Sequence, residues 1–231
     1  MEKIEVELVL EIFGGLIAMV AAGIAIVGDT WDKQRNGWRR VTKTGRWVIF
    51  IAVFGFAISM TNSVLAYNDF LKRQKAAIDE IDKAWVTLME PFKLFLWELD
   101  GNQSVSSVEM IDRILNDGYL EKFNNTIDLR GEAPHHYGKW LKLICGSTKI
   151  GISNLRQAQT IYVGILDTDL ITVTKDVAQS MAAEFMRILS PCDSVSYSHD
   201  YKLQLHTVAN LDEFKRYLLS LKKLKMSMLE Y

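Results

Sequence analysis

The chain has 231 residues, with 27 lysines and arginines against 28 aspartates and glutamates, and it contains two cysteines and three prolines. A near-neutral charge excludes a broad basic surface of the kind that binds nucleic acids, and two cysteines are too few for a small disulfide-stapled scaffold. The length allows one membrane module and one further domain with a real core, and the scarcity of proline favours an α-rich fold.

Two apolar runs near the start predict a membrane hairpin. The second run, Trp47 to Tyr67, holds 21 residues without a charge, and a helix of about 20 residues crosses a bilayer core of about 30 Å. The first run, Val6 to Val27, is free of charge only from Ile12 and reaches spanning length by including Glu11. We expect Glu11 to reach the headgroups from the end of this span; the alternative is a functional ionisable group inside the bilayer.

Small residues form a stripe on each predicted span. Lipid gives helices no hydrophobic reason to associate, so close packing of small side chains and interhelical hydrogen bonds take over that role. The stripes predict either packing of the hairpin within one molecule or assembly of several copies, in which Asn62 lies at a polar seam. The predicted helix-packing or pore residues are Gly14, Ala18, Ala22, Gly55, Ser59, Asn62 and Ser63.

A basic link, Gly28 to Arg46, joins the two predicted spans. It carries six lysines and arginines, against Lys3 before the first span and Lys72, Arg73 and Lys75 just past the second. Because cytoplasmic loops are richer in Lys and Arg, this count favours a cytoplasmic link with both termini outside; a cytoplasmic carboxyl-terminal domain is the alternative. The membrane-interface residues predicted in and beside the link are Arg35, Arg39, Arg40, Arg46, Trp31, Trp38 and Trp47.

Residues 68–231 are predicted to form a bundle of four or five helices. Apolar residues at three- and four-residue spacings extend the helix of the second span to about Leu99, with a kink or fresh start expected near Glu90 because Pro91 follows. Further helices are predicted from Ser106 to about Gly118, from Tyr137 to about Leu166, from Asp167 to Leu189 and from Asn210 onward. The fold class is therefore all-α, with a two-helix transmembrane hairpin, residues 1–67, followed by a helical bundle, residues 68–231.

The sequence contains no recognisable catalytic motif. It holds no spacing typical of a phosphate loop, a metal site, a catalytic nucleophile or a dinucleotide fold. His135 and His136 are neighbours in a predicted loop and belong to no set of residues with metal-ligand spacing. His199 and His206 belong to no such set either. Asp167 and Asp169 lie on different faces of a helix, where their charges favour the helix start. We therefore expect no enzyme, no cofactor and no metal.

The two cysteines, Cys145 and Cys192, are interpreted as buried free thiols. A bond between them is the alternative, and it would require an oxidising compartment.

The last predicted helix crowds lysines outside its apolar side, at Lys222, Lys223 and Lys225. We interpret these lysines as a solvated face of the bundle. Contact with a partner protein or with anionic lipid is the alternative, because a cationic amphipathic helix has the same pattern.

The order of the chain, with two apolar runs joined by GDTWDKQRNGWRRVTKTGRW and then a helical domain without a catalytic motif, resembles the two-transmembrane effectors of bacterial anti-phage systems, including those of retrons. The resemblance implies a toxic, oligomerising protein of the bacterial inner membrane. Its partners hold it inactive, in the retron case a reverse transcriptase with multicopy single-stranded DNA, and its release on infection permeabilises the membrane. Such control implies a cytoplasmic helical domain, opposite to the side that the charge count favours.

A second hypothesis from another class is a membrane-anchored sensor or scaffold. Its helical domain would bind a protein partner, and its spans would only hold it in place.

Overall fold

The computed structural model describes residues 12, 15, 16, 19, 20, 23, 42–100, 107–116, 118–128, 131–134, 138–180, 183 and 211–231. Most of these residues are helical and none lies in a β-strand, although an isolated antiparallel bridge joins Glu132 to Lys139. The all-α prediction is confirmed. The chain divides into two compact units, Met1–Arg73 and Gln74–Tyr231.

Within the described ranges, six helices have defined bounds. They are α1 Lys43–Asp100, α2 Ser107–Asn116, α3 Tyr119–Thr126, α4 Trp140–Ile161, α5 Thr168–Ala178 and α6 Leu211–Leu229. In the unit Gln74–Tyr231, α6 packs against α2, α3 and α5, and α4 packs against α5. The predicted cap Ser106 and the predicted loop Cys192 to Ala209 lie outside the described residues.

Helix α1 continues through Pro91, so of the two predicted outcomes near Glu90 the fresh start is wrong and the kink stays a prediction. A proline inside a helix costs about 3 kcal/mol because it removes one backbone hydrogen bond and crowds the preceding turn. Here its neighbours Met89 and Phe92 are both buried in the core. Tertiary packing on both sides of the proline therefore outweighs the local preference to end the helix.

Gly118 lies between α2, which ends at Asn116 close to the predicted end near Gly118, and α3, which begins at Tyr119. It has φ 69°, a left-handed conformation that glycine adopts without a steric penalty. Helix α3 begins directly after it and buries Leu120 and Phe123. The change of direction brings an aromatic side chain of α3 into the core.

The second half of α1 forms the centre of that core. The ring of Phe92 lies 4.8 Å from the ring of Phe123 and 6.4 Å from the ring of Tyr217, measured between centroids, and Phe95 lies 5.0 Å from Phe123. The fully buried residues of α1 that the sequence pattern places on its apolar side include Ile81, Trp85, Leu88 and Met89. Aromatic groups of α1, α3 and α6 thus share one cluster.

A buried hydrogen bond joins α1 to α6. The indole Nε1–H of Trp85 donates to the carbonyl oxygen of Leu221 across 2.8 Å. Because both groups are withdrawn from water, leaving either one unpaired would cost about 1–3 kcal/mol.

Gly151 marks a close approach of α4 to α1. A Cβ atom at this position would lie 2.5 Å from Cγ and Cδ2 of Leu88 and 3.2 Å from the carbonyl oxygen of Ala84. A Cβ atom at Gly146, on the same helix, would meet no atom within 4 Å. Glycine weakens a helix, so its presence at 151 is explained by the contact with α1, whereas no such contact explains Gly146.

The two glycines of α4 make a matched pair of tests. We expect Gly151→Ala to lower the free energy of unfolding by about 1–3 kcal/mol, because the added methyl group overpacks the contact with Leu88. Gly146→Ala should raise it by about 0.5–1 kcal/mol through helix propensity alone. Denaturant unfolding of the full chain in detergent, followed by tryptophan fluorescence, measures both. Equal effects of the two substitutions would contradict the close approach.

Tyr217 is fully buried in α6, and its hydroxyl has no hydrogen-bond partner among the described residues. Burial raises the pKa of this phenol above its ordinary value near 10. The folded chain therefore holds this proton more tightly than the unfolded chain does. The contribution of this group to the free energy of unfolding is fully present below about pH 10, and it is lost as the pH rises further.

Tyr217→Phe separates the cost of burying the unpaired hydroxyl from the effect of the raised pKa on stability. At pH 8 the variant should be more stable by about 1 kcal/mol, since it no longer buries an unpaired hydroxyl. Between pH 8 and pH 11 the variant should lose less stability than the wild type, because it has no phenol to ionise at this position. Denaturant unfolding at both pH values measures the difference; parallel losses would show that Tyr217 does not titrate with unfolding.

Candidate functional site

Among the described helices, α1 is long and apolar enough over Gly45–Leu99 to cross a membrane, by length and composition. Only 6% of its most apolar 18-residue window is buried, whereas the core helix of a soluble protein would be mostly buried. Exposed apolar surface of this extent is usually buried against another molecule, and the hydrocarbon of a bilayer is one environment that removes it from water. Between Trp47 and Leu65, which we name the apolar segment of α1, the exposed large apolar side chains are Trp47, Phe50, Ile51, Val53, Phe54, Ile58, Met60, Val64 and Leu65.

The first turns of α1 carry two of the side chains predicted at the membrane interface. Arg46 and Trp47, both predicted at the membrane interface, are exposed here. Trp47 stands edge-on to Phe50, and Phe50 stacks on Phe54, each pair with ring centroids 6.0 Å apart. The hydroxyl of Thr42 accepts a hydrogen bond from the N–H of Gly45 at this end. The other predicted interface residues, Arg35, Arg39, Arg40, Trp31 and Trp38, lie outside the described residues.

The two apolar runs meet at Gly15. A Cβ atom on Gly15 would lie 3.4 Å from Cδ2 of Phe56, so the first run approaches α1 closely at this glycine. Along α1, the less exposed positions Ala52, Phe56, Ser63 and Tyr67 recur at spacings of four, seven and four, as one helical seam requires. That both runs cross the membrane stays a prediction. Glu11, Gly14, Ala18 and Ala22 lie outside the described residues.

The predicted stripe on the second span is divided in the structure. Ser63 is 8% exposed, whereas Gly55 and Ser59 are exposed together with Asn62. The reason is the pitch of the helix, since eight residues advance the direction by about 80° beyond two full turns and carry Ser63 towards the buried seam. The exposed residues Gly55, Ser59, Asn62 and Ala66 follow spacings of four, three and four on one side of α1, and we name them the Asn62 face.

Asn62 is the most polar group on this face. Its carboxamide offers two donors and an acceptor, and no hydrogen bond to it is found among the residues described here. The neighbouring Thr61, in contrast, satisfies its hydroxyl within the helix by donating to the carbonyl oxygen of Ala57 across 2.8 Å. An unpaired amide in hydrocarbon costs about 4–8 kcal/mol. In a bilayer, Asn62 therefore needs a partner on another helix or access to water.

Two of the three lysines predicted on the last helix bind carboxylates of their own domain. The Nζ atom of Lys222 lies 2.5 Å from Oδ1 of Asp112 in α2, and the Nζ atom of Lys225 lies 2.5 Å from Oδ1 of Asp82 in α1. Lys225 also lies 5.2 Å from the ring centroid of Trp85. Lys223 is exposed. These contacts favour an internal role for Lys222 and Lys225 and leave Lys223 on the surface.

Cys145 is fully buried and is disulfide-bonded. Its interpretation as a free thiol is therefore wrong, although its burial is as expected. The sequence holds one other cysteine, Cys192, which lies outside the described residues. A sequence separation says nothing about whether two cysteines meet in space, so the bond was not readable from the spacing.

The remaining candidate groups contribute no site in the described part of the chain. Asp167 caps α5, where its Oδ1 accepts a hydrogen bond from the N–H of Asp169 across 3.2 Å, as the sequence predicts for a helix start. No group of three or more His, Cys, Asp or Glu among the described residues could hold a metal ion. His135, His136, His199 and His206 lie outside those residues.

Comparison with protein families, with curated proteins and with solved structures finds no match to this chain in any of the three. The Asn62 face and the exposed apolar surface around it are therefore the observations from which a function is argued.

Lys225 and Lys223 offer a matched test of the two interpretations of the lysine face. Lys225→Met should lower the free energy of unfolding by about 1 kcal/mol, because it removes the ion pair with Asp82 and the cation above Trp85. Lys223→Met should change it by less than about 0.5 kcal/mol, as most surface substitutions do. Denaturant unfolding of the full chain measures both. A larger loss of unfolding free energy for Lys223→Met than for Lys225→Met would contradict the assignment of Lys225 as the lysine that stabilises the fold.

Proposed function

We propose that this chain is a non-enzymatic, membrane-integral effector that permeabilises the bacterial inner membrane. The two apolar runs form a transmembrane hairpin, and several copies associate through the Asn62 face. The observation that carries this proposal is the exposure of Gly55, Ser59 and Asn62 within the apolar segment of α1. A span that served only as an anchor would have no need of an unpaired amide on a lipid-facing side.

Association of copies answers the need of Asn62 for a partner. The same face on two molecules is self-complementary, because each carboxamide both donates and accepts hydrogen bonds. Gly55 and Ser59, one turn apart, let the backbones approach closely enough for such a bond, which is worth about 0.6–2 kcal/mol between membrane helices. A ring of these faces places Ser59 and Asn62 along a polar path through which ions pass.

The resemblance to two-transmembrane anti-phage effectors supports a role in abortive infection. In that role, partners hold the protein inactive and infection releases it. The retron case makes a reverse transcriptase with multicopy single-stranded DNA the holding partner, through contacts with protein rather than through a nucleic-acid-binding face of this chain.

The second candidate is a membrane-anchored sensor or scaffold, and one observation favours it. Helix α1 is continuous from the apolar segment into the core of the unit Gln74–Tyr231, where Trp85 binds Leu221. Replacing residues 1–67 by an unrelated two-span anchor separates the candidates. A scaffold keeps its effect on the cell in this chimera, and a pore-forming effector loses it.

Membrane potential after induced expression tests the effector. The wild type should depolarise cells, and Asn62→Leu and Gly55→Leu should each reduce the depolarised fraction at least tenfold at equal amounts in the membrane, because they remove the hydrogen bond or the close approach. Ala57→Leu places the same leucine side chain at an exposed position about 160° from Gly55 around α1, and this variant should act as the wild type.

Two outcomes contradict the effector. In the first, cells keep their potential while the wild-type protein accumulates in the membrane; in the second, Asn62→Leu and Ala57→Leu depolarise cells equally. The first outcome removes permeabilisation, and the second removes the Asn62 face as its cause.

A further inference from the structure

We infer that the unit Gln74–Tyr231 lies on the non-cytoplasmic side of the membrane, in a compartment that oxidises thiols, with Cys145 joined there to Cys192. Two observations of different kinds carry this inference. One is the disulfide of Cys145, and the other is the distribution of charge on the two sides of the apolar segment of α1. Neither depends on the permeabilising activity proposed above.

The disulfide argues for an oxidising compartment. Cytosolic thiols are kept reduced, and structural disulfides form and persist outside the cytosol. Cys145 is 0% exposed in α4, beside the equally buried Ile144. The sulfur of Cys145 is therefore shielded from soluble reductants, as the sulfurs of structural disulfides commonly are. The only other cysteine of the sequence is Cys192.

The charges argue for the same side without reference to the cysteines. The link Gly28 to Arg46 holds six lysines and arginines, whereas the stretch after the apolar segment begins with three, Lys72, Arg73 and Lys75. One of these three, Arg73, places its Nε 2.9 Å from Oδ2 of Asp69. The side richer in Lys and Arg faces the cytoplasm, so the link lies inside and the helical unit outside.

Only α1 has to cross the bilayer for this placement, because the link precedes its apolar segment in the chain and the helical unit follows it. Whether the first run also crosses decides the side of the amino terminus alone.

The inference restricts the partners of the helical unit. A cytosolic protein, including the reverse transcriptase of the proposed retron role, reaches the basic link but not the unit Gln74–Tyr231. The partner of that unit is then an extracytoplasmic protein. The two sides of the membrane thus carry separate contacts, the link inside and the helical unit outside.

The thiol state of the full chain tests the inference in bacterial cells. Cells are quenched in acid, the protein is denatured, and free thiols are labelled with a polymer-linked maleimide before or after reduction. We expect no label before reduction and two labels after it. In a host without its periplasmic thiol oxidase, both thiols should be labelled before reduction. Free thiols in the normal host would overturn the inference, as would a bond that forms without the oxidase.

Cys145→Ser is the matched control. It should give one label before reduction, because Cys192 loses its partner. Absence of that label, with Cys192 still blocked, would show that Cys192 is bonded elsewhere and overturn the pairing.

Reporters fused after Tyr231 test on which side of the membrane the helical unit lies, and they require no cysteine substitution that could disturb the fold. A reporter active only outside the cytoplasm should be active, and one active only in the cytoplasm should be silent. The reverse result overturns the inference. Because neither assay reads membrane potential, a chain that depolarises cells but keeps free thiols would refute the inference alone, and an oxidised chain that leaves cells polarised would refute only the effector.

Discussion

Helix α1 must satisfy two environments with opposite demands, and the rest of the structure depends on how it does so. From Trp47 to Leu65 most of its large apolar side chains are exposed, and from Ala77 to Leu96 most of them are buried in a protein core. Trp47 is 67% exposed and Trp85 is 2% exposed, although both are tryptophans of the same helix. In the membrane-integral protein that we propose, hydrocarbon covers the first segment. The second segment packs against α3, α4 and α6.

The helical unit depends on the way its other helices meet α1. The hydrogen bond from Trp85 to Leu221 and the ion pair of Lys225 with Asp82 connect α6 to α1, and the absence of a side chain at Gly151 lets α4 approach it. These contacts differ in kind, since one is a directed bond, one a charge pair and one a matter of shape. Together they position α4 and α6 on α1 more specifically than hydrophobic burial alone does.

Local pattern was sufficient for much of this architecture. The three- and four-residue spacings predicted helices in the regions of α4, α5 and α6, and Asp167 predicted the start of α5. What the pattern missed depends on contacts between distant residues. Pro91 remains helical because the core holds Met89 and Phe92, Lys222 finds Asp112 from 110 residues away, and Cys145 is oxidised. The candidate face was found only in part, because the sequence stripe ignored the drift of the helix and included Ser63.

The proposed effector function and the proposed membrane orientation depend on different parts of the apolar segment. The Asn62 face concerns association within the bilayer, whereas the disulfide and the basic link concern which compartment each end meets. Gly151 carries a further consequence, for the descent of this protein. Any side chain at that position collides with Leu88, so descendants of this chain retain glycine at 151 unless residue 88 shrinks with it, while position 146 on the same helix drifts freely.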